Sequence, residues 1–187
     1  AQHVFALKRE GGAALWQVRV GPPLVDSRGG ARATPVVDGE RVYAIGSGGD
    51  LVCLEAATGR VAWSKNLERD YGGQMMSRWM WSESPLVDGD RLVFTPGARD
   101  AALVAVDKTT GRDVWRAAIP DLGPAGKDGA GYSSIVVSKT WASLRLPTRL
   151  VTRIGLPVVS CPYIAAAEMP MPCCPRELWQ ASAPSPA

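Results

Sequence analysis

Leu54-Glu-Ala-Ala-Thr-Gly59-Arg-Val-Ala-Trp63 and Val106-Asp-Lys-Thr-Thr-Gly111-Arg-Asp-Val-Trp115 are the same phrase spoken twice. A looser third copy runs from Leu7 through Gly12 to Trp16. In each copy Gly stands five positions after the aliphatic residue, and Trp four positions after Gly. Self-similarity at a period near 50 residues marks a repeat architecture, so the phrase decides the fold before any other signal is weighed.

Around each phrase the chain alternates short apolar runs with turn residues. In the second unit Ala33–Val37 reads as a strand, Asp38-Gly39 as a hairpin turn, Arg41–Ile45 as a strand, and Gly46-Ser-Gly-Gly-Asp50 as the next turn. Leu51–Glu55, the Thr58-Gly59 turn and Arg60–Lys65 complete it. Asp-Gly between two β-rich runs is a strong hairpin signal, and strands of five or six residues are typical of such sheets. The third unit repeats the plan from Ser84-Pro85 through Asp88-Gly89, Arg91–Thr95, Ala102–Asp107 and Arg112–Ala117. Pro35, Pro85 and Ile135 are evenly spaced, which places the start of a further unit near Tyr132–Val137. Four-stranded antiparallel meanders repeated at this length predict an all-β chain, a β-propeller with one sheet per blade. The expected partition is a partial blade over 1–20, blades over 33–66 and 83–117, and the start of another at 132–138. The partial propeller thus occupies 1–138, and Lys139–Ala187 forms a tail.

The tail is written differently. It holds eight of the 15 Pro, one of the 20 Gly and no Asp, and near position 165 it offers Ala165 where a fourth Trp is expected. Two explanations fit. One is a Pro-rich extended or disordered segment. The other is a change of reading frame after about Ser138. A two-base shift under Glu168–Pro175 permits Asp-Ala-Asp-Ala-Leu-Leu-Ser-Pro, which ends like the Ser84-Pro85 start of a unit.

Composition removes several function classes. Residues 1–138 carry 16 Lys/Arg against 16 Asp/Glu, so the net charge of +3 belongs to the tail. A neutral body without a basic run offers no nucleic-acid footprint. The single histidine, His3, argues against a His-rich metal site or a Ser-His-Asp triad. Cys53, Cys161, Cys173 and Cys174 have no zinc-ligand spacing. No run approaches the roughly 20 apolar residues of a membrane span. The chain opens at Ala1-Gln2-His3 directly before an apparent strand, which reads as a truncated start lacking a signal peptide.

The repeat Ala-Thr-Pro-Val-Val-Asp-Gly-x-Arg-Val-Tyr, followed by Gly-Gly-Asp-Leu-Val-Cys-Leu-x-Ala-x-Thr-Gly-x-x-x-Trp, is similar to that of quinoprotein-like (pyrroloquinoline-quinone-like) β-propellers. That family includes the outer-membrane-protein assembly lipoprotein, and the likeness covers about residues 4–138. It implies that Trp16, Trp63 and Trp115 tie blades together. It also implies a parent ring of seven or eight blades, of which this chain is a fragment of about two and a half, and a periplasmic or extracytoplasmic location.

The family divides into quinone- and calcium-dependent alcohol or sugar dehydrogenases and propellers without cofactor. The enzymes carry a vicinal disulfide against the quinone, which draws attention to Cys173-Cys174. That pair lies outside the repeat, between Pro172 and Pro175, where free thiols are the simpler reading. Glu83 could face the central channel, but calcium needs several further oxygen ligands that spacing does not supply. Tyr71, Trp79 and Trp81 could line an upper-face groove for a peptide or glycan, or could cover the end of a blade. Asp38 and Asp88 are read as turn residues, and Gly46-Ser-Gly-Gly49 lacks the Lys-Ser/Thr of a phosphate loop. Arg145, Arg149 and Arg153 could suggest a basic face, but Pro147 and Pro157 bracket too short a segment for an amphipathic helix.

The preferred expectation is a non-catalytic scaffold that captures a protein or peptide partner and holds no cofactor. The alternative is part of a quinone- and calcium-dependent dehydrogenase. Either way, the end blades should carry uncovered faces and unpaired edges, an aggregation hazard.

Overall fold

A computed structural model describes residues 1–23, 31–75, 79–118, 129–132 and 134–138, together with the backbone of 150–152. The strands are β1 (Gln2–Leu7), β2 (Ala14–Gly21), β3 (Val36–Asp38), β4 (Arg41–Ile45), β5 (Asp50–Glu55) and β6 (Val61–Asn66). After the short helix α1 (Leu67–Tyr71) come β7 (Leu86–Asp88), β8 (Arg91–Phe94), β9 (Leu103–Asp107), β10 (Asp113–Ala117), β11 (Val136–Ser138) and β12 (Leu150–Thr152).

Sequence order is spatial order. The complete sheets are β3-β4-β5-β6 and β7-β8-β9-β10, and two-stranded sheets, β1-β2 and β11-β12, stand at either end of the described chain. Every strand pairing is antiparallel. The anticipated meanders are therefore present, with their ends moved by one to three residues. Of the tail, only 150–152 is described, and its backbone pairs with β11; the rest of 139–187, including Cys161, Cys173 and Cys174, lies outside the described residues.

The register repeats as faithfully as the sequence. Ala6 faces Trp16, Cys53 faces Trp63 and Ala105 faces Trp115 across their hairpins. A register shift follows in each hairpin, between Ala6 and Leu7, between Cys53 and Leu54, and between Asp113 and Trp115. An extra residue there bends the strand and re-aims the side chain beside it. The turn that closes the hairpin is also built twice alike. Gly59 N–H donates to the Glu55 carbonyl and Gly111 N–H to the Asp107 carbonyl, while the Arg60 and Arg112 carbonyls accept from the N–H groups of Glu55 and Asp107. Thr58 and Thr110 hydroxyls each accept from the backbone N–H two residues on.

Each sheet has two apolar faces, and each face packs on a neighbour. Val42, Ala44, Val52 and Leu54 meet Val4, Val20, Trp16 and Val18 of the first sheet. On the opposite face Tyr43, Ile45, Leu51, Cys53 and Trp63 meet Leu92, Phe94, Val104 and Val106. Val93, Ala105 and Trp115 then meet Ile135. A strand whose two faces are both covered must be apolar throughout, which is why Leu51–Leu54 and Val104–Val106 read as unbroken apolar runs.

The connector after β6 contains α1, an element the strand-and-turn reading of the sequence did not include. Asn66 caps it by accepting from Arg69 N–H, and Gly72 ends it in the left-handed region at φ 65°. The helix brings Leu67 and Tyr71 into the core between the two complete sheets.

Gly59 and Gly111 hold φ values of 73° and 71°, and a Cβ at Gly59 would lie 2.7 Å from Trp16 Cδ2. Gly12 has φ 67° but nothing within 4 Å of the same position. Gly59→Ala should therefore carry both backbone strain and a clash, about 2–4 kcal/mol in total. Gly12→Ala should carry only the strain, about 1–2 kcal/mol. Urea unfolding curves of the two variants should differ accordingly, and equal losses would contradict the contact.

Candidate functional site

The chemistry-bearing side chains gather at the junctions between sheets. At the outer rim, Trp16 lays its ring on Gly59 and donates its Nε1–H to the Ala56 carbonyl at 2.9 Å. Trp63 does the same one sheet on, with its ring on Gly111 and its Nε1–H on the Lys108 carbonyl at 3.1 Å. Ala56 and Lys108 both stand three residues before their Gly. The repeated phrase is thus both halves of a joint: the Trp of one copy seats on the Gly of the next. Lys108 also accepts from the Tyr43 hydroxyl at 3.1 Å, and its ammonium meets Asp38 at 2.6 Å. Asp38, read from sequence as a turn residue, therefore also joins neighbouring sheets. Cys53 lies beneath Tyr43 and Trp63 in the same core, and burial pushes its thiol up from the ordinary range.

At the inner end, Thr34 N–H donates to Ser84 Oγ at 2.9 Å, and Ser84 N–H to Ser134 Oγ at 3.4 Å. These partners are 50 residues apart each time, so the inner starts of successive sheets are laced together at the repeat spacing.

Between rim and axis sits a charged node. Asp113 accepts from the Tyr71 hydroxyl at 2.8 Å, from Lys65 Nζ at 3.0 Å and from Arg116 at 2.7 Å. The guanidinium of Arg116 lies 4.8 Å from the Tyr71 ring centroid and Lys65 Nζ lies 5.3 Å from it, within cation–π range. Tyr71 also meets Phe94 edge-on at 5.6 Å. Burial, then the bond to Asp113, pushes the Tyr71 phenol far above its ordinary pKa. Burial alone would raise the Asp113 carboxyl, but the hydrogen bonds from Tyr71, Arg116 and Lys65 hold it below the usual carboxylate range. None of these long-range partners was visible in the sequence, because Lys65, Tyr71 and Asp113 belong to no common motif.

The four upper-face candidates do not form one groove. Tyr71 and Trp81 are buried, and the indole of Trp81 packs over Gly49. Trp79 is half-buried, with the Arg32 guanidinium 5.5 Å from its ring centroid and donating to its carbonyl at 2.7 Å. Glu83 is 1% exposed, and its carboxylate accepts from Thr95 N–H at 2.7 Å. It precedes β7 by three residues. Among the described residues no three His, Cys, Asp or Glu side chains converge as a metal site. Glu83, the one carboxylate proposed toward calcium, is engaged with the Thr95 backbone.

A carboxylate whose folded pKa is depressed contributes stability above its unfolded pKa, and that stability is lost as pH falls through the folded value. Asp113 is such a group, so the chain should weaken progressively below about pH 4. Asp113→Asn should be about 1–3 kcal/mol less stable at pH 7 and should lose less on acidification. Parallel stability–pH curves for the two proteins would contradict the node.

Comparison with known proteins agrees with this geometry. No curated protein matches the chain. The family model described as outer membrane protein assembly factor BamB matches residues 1–147. Among solved structures, BamB from Moraxella catarrhalis is 24% identical, with a TM-score of 0.48 over 73% of this chain and 35% of that one. The quinohemoprotein alcohol dehydrogenase ADHIIG from Pseudomonas putida HK5 is 19% identical, with a TM-score of 0.50 over 73% and 24%. Quinohemoprotein alcohol dehydrogenase from Comamonas testosteroni is 24% identical, with a TM-score of 0.45 over 62% and 18%. The chain thus spans at most about a third of the length of these structures, and at 19% identity the likeness to the ADHIIG structure bears on fold alone. By its repeats, its sheets and the match over residues 1–147, the chain is a β-propeller module belonging to the family of outer membrane protein assembly factor BamB.

Proposed function

We propose that the chain is a non-catalytic propeller module of an extracytoplasmic protein, and that it captures an extended peptide or a protein partner by strand addition. The supporting observation is the outer margin of the two complete sheets. β6 and β10 end their sheets without a further described neighbour, and beside their Trp they expose Val61 at 45% and Val114 at 49%. An extended peptide added there would use main-chain hydrogen bonds for affinity and the valines for side-chain preference. The description of the matched family as an assembly factor favours the same reading. So does the engagement of Tyr71, Glu83 and Asp113 in joining or bracing the sheets. None of the described helices is long and apolar enough to cross a membrane.

Fluorescence anisotropy with labelled peptides of alternating apolar and polar residues tests this. Saturable binding is expected, weakened about tenfold, the equivalent of 1.4 kcal/mol, by Val61→Lys together with Val114→Lys. Pyrroloquinoline quinone and calcium added to the same protein should yield no dye-linked oxidation of alcohols or glucose. Quinone-dependent oxidation without peptide binding would favour the dehydrogenase alternative instead.

A further inference from the structure

The connector between the two complete sheets carries two energetic penalties on adjacent residues. Among the described residues Met80 is the one non-glycine residue at positive φ, 62°. An L side chain there brings its Cβ close to the following carbonyl oxygen, so glycine is the usual occupant. Trp81 comes next, 4% exposed, and its Nε1–H is buried without an acceptor. Trp16 and Trp63 differ on this point, because each of those indoles donates to a carbonyl of the turn it covers. Thr95 Oγ1 is the other buried side-chain atom without a partner among the described residues, and Thr95 N–H holds Glu83 just beyond Trp81. An orphaned donor forfeits its full hydration, and strained backbone persists only where surrounding contacts hold it.

Those contacts can be named. Trp81 N–H donates to the Ser47 carbonyl at 3.2 Å. Ser47 is gripped in turn by Gln2, whose Oε1 accepts from Ser47 N–H at 2.9 Å and whose Nε2 donates to Ser47 Oγ. Arg32 donates to the Trp79 carbonyl at 2.7 Å, and Ser82 Oγ donates to the Met80 carbonyl at 3.1 Å. The indole itself lies over Gly49, where a Cβ would stand 3.2 Å from Trp81 Cε3 and 3.3 Å from Leu67 Cβ. Trp81, Leu67, Tyr71 and Phe94 belong to one buried cluster between the sheets. Apolar packing therefore keeps the ring in place, while its N–H and the backbone before it both favour release.

We infer that residues 79–82 form a strained latch on the junction between the two complete sheets. The latch opens locally, lifting the Trp81 ring off Gly49 while both sheets stay folded. Opening relaxes Met80 into ordinary backbone, hydrates the indole N–H and uncovers an apolar seat floored by Gly49 and Leu67. Elements that move in binding and regulation come from this low-stability end of a structure.

Native-state hydrogen exchange, read by NMR on the intact chain at a series of low urea concentrations, tests the inference. The Trp81 amide and indole protons should exchange through one opening, populated about tenfold or more above the opening that exposes the β8 and β9 amides, and with a smaller dependence on urea. Met80→Gly should make that opening about threefold rarer and leave β9 unchanged. Replacing Trp81 by 3-benzothienylalanine, which keeps the shape of indole but has sulfur in place of N–H, should also slow exchange of the residue 81 amide. The same replacement at Trp63, whose N–H has an acceptor, should destabilise the fold. Exchange at Trp81 with the free energy and urea slope of β9 would overturn the inference. So would a residue 81 amide that exchanges as fast as the parent's, or faster, in either Met80→Gly or the benzothienylalanine variant.

Discussion

A Trp ring can lie flat on a neighbouring turn only if that turn has no side chain beneath it. This steric condition governs the whole molecule. Gly59 and Gly111 satisfy it and, at positive φ, also make the turn, so one residue type meets two demands at one position. The indole then covers apolar surface while its N–H finds a carbonyl of the same turn, which leaves the buried donor satisfied. Because the acceptor turn of one copy is followed four residues later by the Trp that seats on the next, the contact propagates without further instruction. The fold is a chain of identical joints, and stability resides in the interfaces more than in any single sheet.

Polar side chains reinforce the joint where sheets would otherwise slide. Asp38 to Lys108 at the rim, Asp113 with its three donors in the middle, and Ser84 with Ser134 toward the axis hold one junction or the next at different radii. Gln2 and Ser47 exchange hydrogen bonds across the first junction in the same manner. Buried polar groups satisfied in this way fix geometry, since an unpaired one would carry a large desolvation penalty. Residues that on composition alone resemble a ligand site are here part of the joinery.

How much of this was legible from sequence follows from range. Strands and turns were legible because their signals are local: Asp38-Gly39, Thr58-Gly59 and the apolar runs between them leave one plausible hairpin pattern. The role of Trp as a blade tie was legible through resemblance. Its seat on the next Gly was not, although both partners belong to the phrase, because no pattern within one copy says that copies touch. α1 escaped because five residues show no helical period, yet Asn66 before it and Gly72 after it were readable as caps. For Tyr71 and Trp81 the sequence left open a groove or a cover on the blade end, because aromatic content does not report direction; both side chains are buried. Glu83 could be placed near the start of a sheet, but its partner Thr95 is 12 residues away, just past the end of β8, beyond any local signal.

A double-mutant cycle between Trp63 and Gly111 tests the Trp-on-Gly joint most directly. Trp63→Ala, Gly111→Ala and the double variant would be compared with the parent by urea unfolding. If the Gly111 methyl is excluded by the Trp63 ring, removing the ring should relieve the clash, and the two losses should fall short of additivity by about 1 kcal/mol or more. Losses that add to within about 0.5 kcal/mol would contradict the joint, because residues more than a contact apart behave independently.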